Sequence, residues 1–314
     1  MSEGRPLPRA PELTPRPAAT YDDTAAPRDG TPSDTTAPRD GSPGDSAAPS
    51  AATPTGSATA TDSGTTGAAT ASVSPAVAAP ALTERDIRGL VFTAEMYAVQ
   101  FDQLAAVLGV TPARAHAIFA RWRDNSDADS ARLGPGQAWV WLTRHGLAAC
   151  GLPYAAAPPP LSRLAHLRAV TAVRLAFESA PTFLTAGAYW RSERRLRARI
   201  GRIGLREHVP DAEVHWPDKP GVPYPGECWA IEAELTAKTI TRTASIMREL
   251  LNRTGDYGCP AAERQVPGAP PRHTRTVYLC SPAARSAVTR ARDTLPAPDA
   301  ERIEITALPD GAAL

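Results

Sequence analysis

The sequence predicts a mixed α+β and α/β chain in three parts: a disordered tail, a winged helix-turn-helix, and an α/β sandwich. Three observations carry this. The first 80 residues are almost wholly Ala, Pro, Thr, Ser, Gly and Asp. Two helical apolar stripes then follow each other, separated by a glycine and a capped restart. From residue 188 onward, helix-like and strand-like stretches alternate.

The tail, residues 1–80, has almost no Leu, Ile or Phe, and Tyr21 is its only aromatic. Such a segment cannot bury enough apolar surface to offset its ordering entropy. Its imperfect repeat, "TAAPRDGTPSD" then "TTAPRDGSPGD", is too short and too polar to stack as a solenoid. The tail holds five arginines against nine acidic residues, which leaves 29 basic against 24 acidic residues for the rest of the chain. That mildly basic remainder is compatible with a nucleic-acid partner without requiring one. Only two of the 34 basic residues are lysines, Lys219 and Lys238. No apolar run approaches the length of a membrane span, and the N-terminus lacks a signal-peptide core. Cys150, Cys228, Cys259 and Cys280 form no CxxC pair. The expectation is free thiols in a cytoplasmic protein.

Residues 81–155 read as the winged helix-turn-helix. Thr83 with Asp86 marks a helix start, an approximate capping box. Ile87, Leu90, Val91 and Ala94 give that helix its stripe. Phe101, Leu104, Ala105 and Leu108 stripe a second helix that Gly109 ends. Thr111 and Pro112 restart a third, with Ala115, Ile118, Phe119 and Trp122 inward. Arg114, His116, Arg121 and Arg123 are left on its other faces, free to meet a major groove or phosphates. Gly134-Pro135-Gly136 is the expected tip of the wing, and Trp139 to Leu142 a strand beside it. A helical hairpin used for packing or dimerisation is the alternative for this region.

Residues 156–187 read as a stiff proline-rich linker leading into a helix with Leu164, Leu167, Val170, Thr171 and Leu175 core-like. His166 on that helix is expected to be packed or solvated. Residues 188–310 give the α/β part. "AYWRSERRLRARI" is expected as one helix, carrying Arg191, Arg194, Arg195, Arg197, Arg199 and Arg202 around it, with Leu196, Ile200 and Ile203 inward. These arginines fit DNA contact, and a solvated helix surface equally. Strands are expected at 208–216, 228–235, 274–282 and 302–308, with helices between the later ones.

Period-two alternation puts Glu232 and Glu234 on one face of the second strand and Asp211 and Glu213 on one face of the first. If the two strands pair, Asp211 falls beside Glu232 and Glu234. Three converging carboxylates repel one another and need a cation, protons or open water. A hard divalent ion such as Mg²⁺ takes oxygen ligands of this kind. For Glu232 and Glu234 alone, a solvated strand face is the simpler reading.

An Asp after a literal "PD" at 210–211, a hairpin-like gap, then Glu-x-Glu at 232–234 resembles the PD-(D/E)xK nuclease fold, with Glu234 at the usual lysine position. The resemblance implies Asp211, Glu232 and Glu234 as ligands of Mg²⁺, with Mn²⁺ able to substitute. It also implies Glu193 as the extra acidic residue and Lys238 as a replacement cation. The same residues, with His166, Ala169, Val170 and Arg174, "WRSERRLR" and "YLCSP", resemble the replication-relaxation family of plasmids and mobile elements over roughly 83–308. That implies double-stranded DNA as partner, with replication or transfer proteins and a second copy of the chain as further partners, and a role in replication initiation or DNA relaxation. The alternatives are a non-catalytic accessory factor and a transcription regulator. No His-x-His pair is present, so the chain does not resemble the tyrosine relaxases, and Tyr257 and Tyr278 read as packing residues.

Overall fold

The computed structural model describes residues 81–200, 208–257 and 269–313. The expectations for the tail and for Arg202, Ile203 and Cys259 lie outside the described residues.

The N-terminal half starts at helix α1 (Glu84–Glu95). Thr83 caps it, and both halves of the capping box are formed, Asp86 doing the work of the usual Glu. Asp86 also accepts from Trp122 Nε1 at 3.1 Å and from Arg121 at 3.2 Å, so one carboxylate ties two helices together. A two-residue strand β1 (Val99–Gln100) leads into α2 (Phe101–Leu108), which ends at Gly109 in the left-handed region (φ 64°). Thr111 and Pro112 then start α3 (Pro112–Asp124) as the sequence indicated. Strands β2 (Ala128–Ala131) and β3 (Trp139–Leu142) flank the Gly134–Gly136 loop. The three strands form one antiparallel sheet in the order β1-β3-β2. Helix α4 (Arg144–Ala149) closes the half. Gly146 is needed there, since a Cβ would sit 2.0 Å from the Asp127 carbonyl oxygen.

After a single 3-10 turn, α5 (Leu164–Ser179) and α6 (Pro181–Ala186) lead to a five-stranded sheet. Its strands are β4 (Tyr189–Ser192), β5 (Ala212–His215), β6 (Cys228–Glu234), β7 (Arg275–Cys280) and β8 (Ile303–Ala307), adjacent in that order. The first three run antiparallel, and β6, β7 and β8 run parallel. The parallel crossovers are made by α8 (Ile240–Asn252) and by α9 (Pro282–Arg292) with the short α10 (Ala297–Ala300). Helix α7 (Glu193–Ile200) connects β4 toward β5.

The alternation in β6 sorts the layers. Trp229, Ile231 and Ala233 face α5, with Val277 and Leu279 beside them. Ala230 packs on Ile246 and Leu250 of α8, and Tyr278 and Cys280 on α8 and α9. Glu232 and Glu234 therefore lie on the α8 side.

Two expectations change. Residues 189–192 are a strand, not the start of the arginine-rich helix, because Tyr189 and Trp190 extend along β5 and Trp190 is buried. Helix α5 is a core element and not part of a linker. Val170, Val173 and Phe177 join Leu90, Trp122, Trp190 and Ile231 in one continuous apolar cluster. Arg174 and Arg168 fasten α5 to the N-terminal half, through Glu95 at 3.0 Å and Asp102 at 2.8 Å.

Candidate functional site

The β5–β6 hairpin brings the three singled-out carboxylates to one end of the sheet, where β6 and β7 finish. Carboxyl ends of parallel strands are the usual ligand-binding edge of such a sheet. Pairing of β5 with β6 stops at Ala212–Ile231. Asp211 continues it with its side chain, Oδ2 accepting from the Ala233 amide at 2.8 Å. That fixes Asp211 against the backbone between Glu232 and Glu234.

Each carboxylate has a cationic or imidazole partner. His166, from the first turn of α5, places Nε2 2.8 Å from Asp211 Oδ1. His208 places Nε2 2.7 Å from Glu232 Oε1. Lys238 reaches back from beyond the strand, Nζ donating to Glu234 Oε2 at 2.7 Å. Lys238 and Glu234 thus form an ion pair four residues apart. The second oxygens of Glu232 and Glu234 stay outside these contacts.

The electrostatics follow from burial and pairing. Burial pushes the Glu232 carboxyl up, and the Asp211 charge adds to it, outweighing His208. Burial acts the same way on Asp211, but the charge and hydrogen bond of His166, the Ala233 amide and the charge of His208 outweigh it and hold it low. Burial disfavours the charged imidazoles, yet Asp211 raises His166 and Glu232 raises His208. Lys238 is raised likewise, Glu234 outweighing its burial. Three carboxylates are thus met by three groups able to carry positive charge.

Glu193, at the start of α7, borders the small cavity that His166 and Asp211 also line. Its oxygens accept from Arg163 at 2.6 Å and Arg197 at 2.7 Å. Tyr278 pairs with Glu232 across β6–β7, and its hydroxyl is buried without a hydrogen-bond partner. It is a packing residue by burial, standing on the same face as the acidic pair.

Glu213, on the same face of β5 as Asp211, belongs elsewhere. It is fully buried and accepts two bonds from Arg272, at 2.6 and 2.7 Å. Arg191, His215 and His273 also contact it, at 3.2, 2.9 and 2.9 Å. Glu213, Cys228 and His273 have ligand-type atoms all within 4.8 Å of one another. With every lone pair of Glu213 engaged and two guanidinium groups against it, this cluster is an ion-pair anchor, and burial raises the Cys228 thiol.

The other singled-out cations divide. Arg114, His116, Arg121 and Arg123 are exposed on α3, with His116 stacked on Phe101 at 3.8 Å. Arg121 is partly spent on Asp86 and Arg123 on Asp124. Arg191 and Arg194 depart from the expected DNA-facing helix surface. Arg191 points into the Glu213 and Asp256 carboxylates. Arg194 donates to the carbonyls of Ala94 and Ala155, at 2.6 Å each, and stacks on Tyr97 and Tyr154. It is an internal clamp. Arg195 remains half exposed.

The reading from sequence missed His208 and gave His166 no role. Their partners lie 24 and 45 residues away, and no local pattern marks either pairing. No family model, no curated protein and no solved structure matches the chain.

Proposed function

We propose that the protein binds double-stranded DNA and cleaves or nicks a phosphodiester bond at Asp211, Glu232 and Glu234 with the help of Mg²⁺ or Mn²⁺. One observation carries this: the Asp211 carboxylate is bonded to the β6 backbone between Glu232 and Glu234, with Lys238 on Glu234. Helix, antiparallel hairpin, helix and parallel strand in this order match what a PD-(D/E)xK resemblance implies. Carboxylate oxygens are the donors a hard, oxygen-seeking cation takes, and Asp211, Glu232 and Glu234 would draw together around it, since among the described residues the cluster with three ligand-type atoms within 4.8 Å of one another is Glu213, Cys228 and His273. Such a cation supplies an activated water and stabilises the leaving oxygen. Of the chain's own groups, His166 and His208 orient two of the carboxylates, and Lys238 offers a charge to a phosphate oxygen. The order α1-β1-α2-α3-β2-β3 supports a winged helix as the DNA-binding part, with the exposed face of α3 toward the groove. A role in replication initiation or DNA relaxation on a mobile element is the biological setting we infer from the sequence resemblance.

A second reading is favoured by one observation. His166, His208 and Lys238 already pair with the three carboxylates, as in a degenerate site of a non-catalytic accessory factor or regulator. A plasmid-nicking assay separates the two. Supercoiled DNA is incubated with Mg²⁺ or Mn²⁺ and wild type, Asp211→Asn or Glu232→Gln. Relaxed or linear product from wild type alone establishes cleavage. Intact plasmid with folded protein that still retards DNA establishes the accessory role.

A further inference from the structure

Helix α7 separates two adjoining grooves of about 410 and 580 Å³, which share Pro153, Tyr154 and Ala198 in their walls. The first carries Arg163, Arg194 and Arg197 and, among the described residues that line it, no acid. The second carries Arg191, Arg195 and Arg199, with Glu95 the one acid among the described residues that line it. Helical spacing explains the division. Arg195 and Arg199 are four apart on one side, Arg194 and Arg197 three apart on the other, and Ala198 forms the crest between them. A small residue there leaves the passage from one groove to the other low.

The positive charge along this face is in surplus. Arg195 approaches Glu95, which already holds Arg174 at 3.0 Å. Arg197 pairs with Glu193, which already holds Arg163. Arg199 pairs with Asp256, which Arg191 and Arg272 share. Each of these three arginines is thus a second or third cation on one carboxylate, and each is about half exposed, at 57%, 53% and 49%. Tyr97 and Arg163 of the first groove also wall the small cavity that holds His166, Glu193 and Asp211. The track therefore leads toward the candidate site.

We propose that the paired grooves take the phosphodiester backbone of a DNA strand, crossing α7 over Ala198 on its way to Asp211. This rests on the DNA-binding reading above and adds the path. Arg195, Arg197 and Arg199 contact phosphates, whereas Arg194 holds the groove walls together.

The test uses the full chain, a labelled single-stranded oligonucleotide and its duplex, and fluorescence anisotropy across a salt series. Two variants are compared with wild type. Arg195→Ala/Arg197→Ala/Arg199→Ala removes the cations. Ala198→Glu sets an acid on the crest without removing a contact, so it reports the track even if the triple variant is poorly folded. The triple variant is expected to lose about 2 to 3 from the slope of log K against log salt, at roughly 0.7 to 0.9 per phosphate contact. Ala198→Glu is expected to weaken binding by about tenfold, the effect of a like charge beside phosphates. Loss limited to the single strand assigns the track to an unpaired strand, and equal loss on both probes assigns it to a duplex backbone. Wild-type affinity and slope in folded Ala198→Glu would overturn the track while leaving DNA binding intact. A wild type that binds neither probe would overturn the DNA-binding reading and the track with it.

Discussion

His166 Nε2 lies 2.8 Å from Asp211 Oδ1, and this contact joins the first turn of α5 to the mouth of the β5–β6 hairpin. Asp211 is held by a side chain on one oxygen and a backbone amide on the other, so its position is fixed from both sides of the sheet edge. The pair is worth a charged hydrogen bond, on the order of 1.5–3 kcal/mol when partly buried.

That pair gives a pH window. The carboxyl is depressed below its ordinary 3.8, so its contribution to stability is in place above that value and is lost as pH falls through the folded pKa. The imidazole is raised above 6.5, so its contribution is complete below 6.5 and is lost as pH rises through the folded pKa. Both are present between 3.8 and 6.5. Urea unfolding of wild type and His166→Gln across pH is expected to show the largest difference inside that window and a shrinking one above it. A difference that does not vary with pH would mean His166 acts by packing alone.

Glu213 predicts the opposite behaviour from the candidate site. Its charge compensates Arg272 and Arg191 in a fully buried position. Glu213→Gln leaves two guanidinium groups short of a counter-charge and is expected to cost about 3–5 kcal/mol in denaturant unfolding. Asp211→Asn is expected to cost less stability and more nicking. Equal stability loss from both would show that the acidic cluster around Asp211 is structural in the same sense.

Asp86 makes a local prediction. It completes the α1 capping box and accepts from the Trp122 indole, which is otherwise sealed in the core. Asp86→Ala leaves the Thr83 cap bond to the backbone but removes the reciprocal half of the box and the indole's acceptor, so the expected loss is about 1 kcal/mol for the lost capping-box bond and a further 1 kcal/mol or so for the orphaned indole. Thermal unfolding reads it, and Asp86→Asn, which keeps an acceptor, should recover part of the loss.

The parts that local chemistry determines were legible in the sequence. Thr83 and Thr111 as caps, Gly109 as a left-handed terminator and the alternation of β6 all depend on neighbours within four residues. The pairing of the two strands, which sets Asp211 against the Ala233 amide, was legible too from their alternation. Strand β1 was not, since two residues carry no period. Helix α5 read as a connector because its partners Glu95, Asp102 and Asp211 are 79, 66 and 45 residues away. Arg191 and Arg194 read as DNA contacts because an arginine's sequence neighbours do not reveal whether a buried carboxylate or carbonyl will meet it.

Lys238 and Glu234 make a prediction as a pair. Glu234 ends β6, and Lys238 returns four residues later to place its Nζ 2.7 Å from that glutamate. If the two act as one unit, removing either should cost most of what removing both costs. Nicking rates are expected to fall by about 10- to 100-fold for Lys238→Ala, the scale of a lost charge contact to a transition-state oxygen. The expected fall for Glu234→Gln is similar, and the double variant should be scarcely worse. Lys238→Arg keeps the charge but broadens its geometry, and is expected to restore part of the rate. Additive losses in the double variant would mean that Glu234 serves the cation and Lys238 serves only the fold.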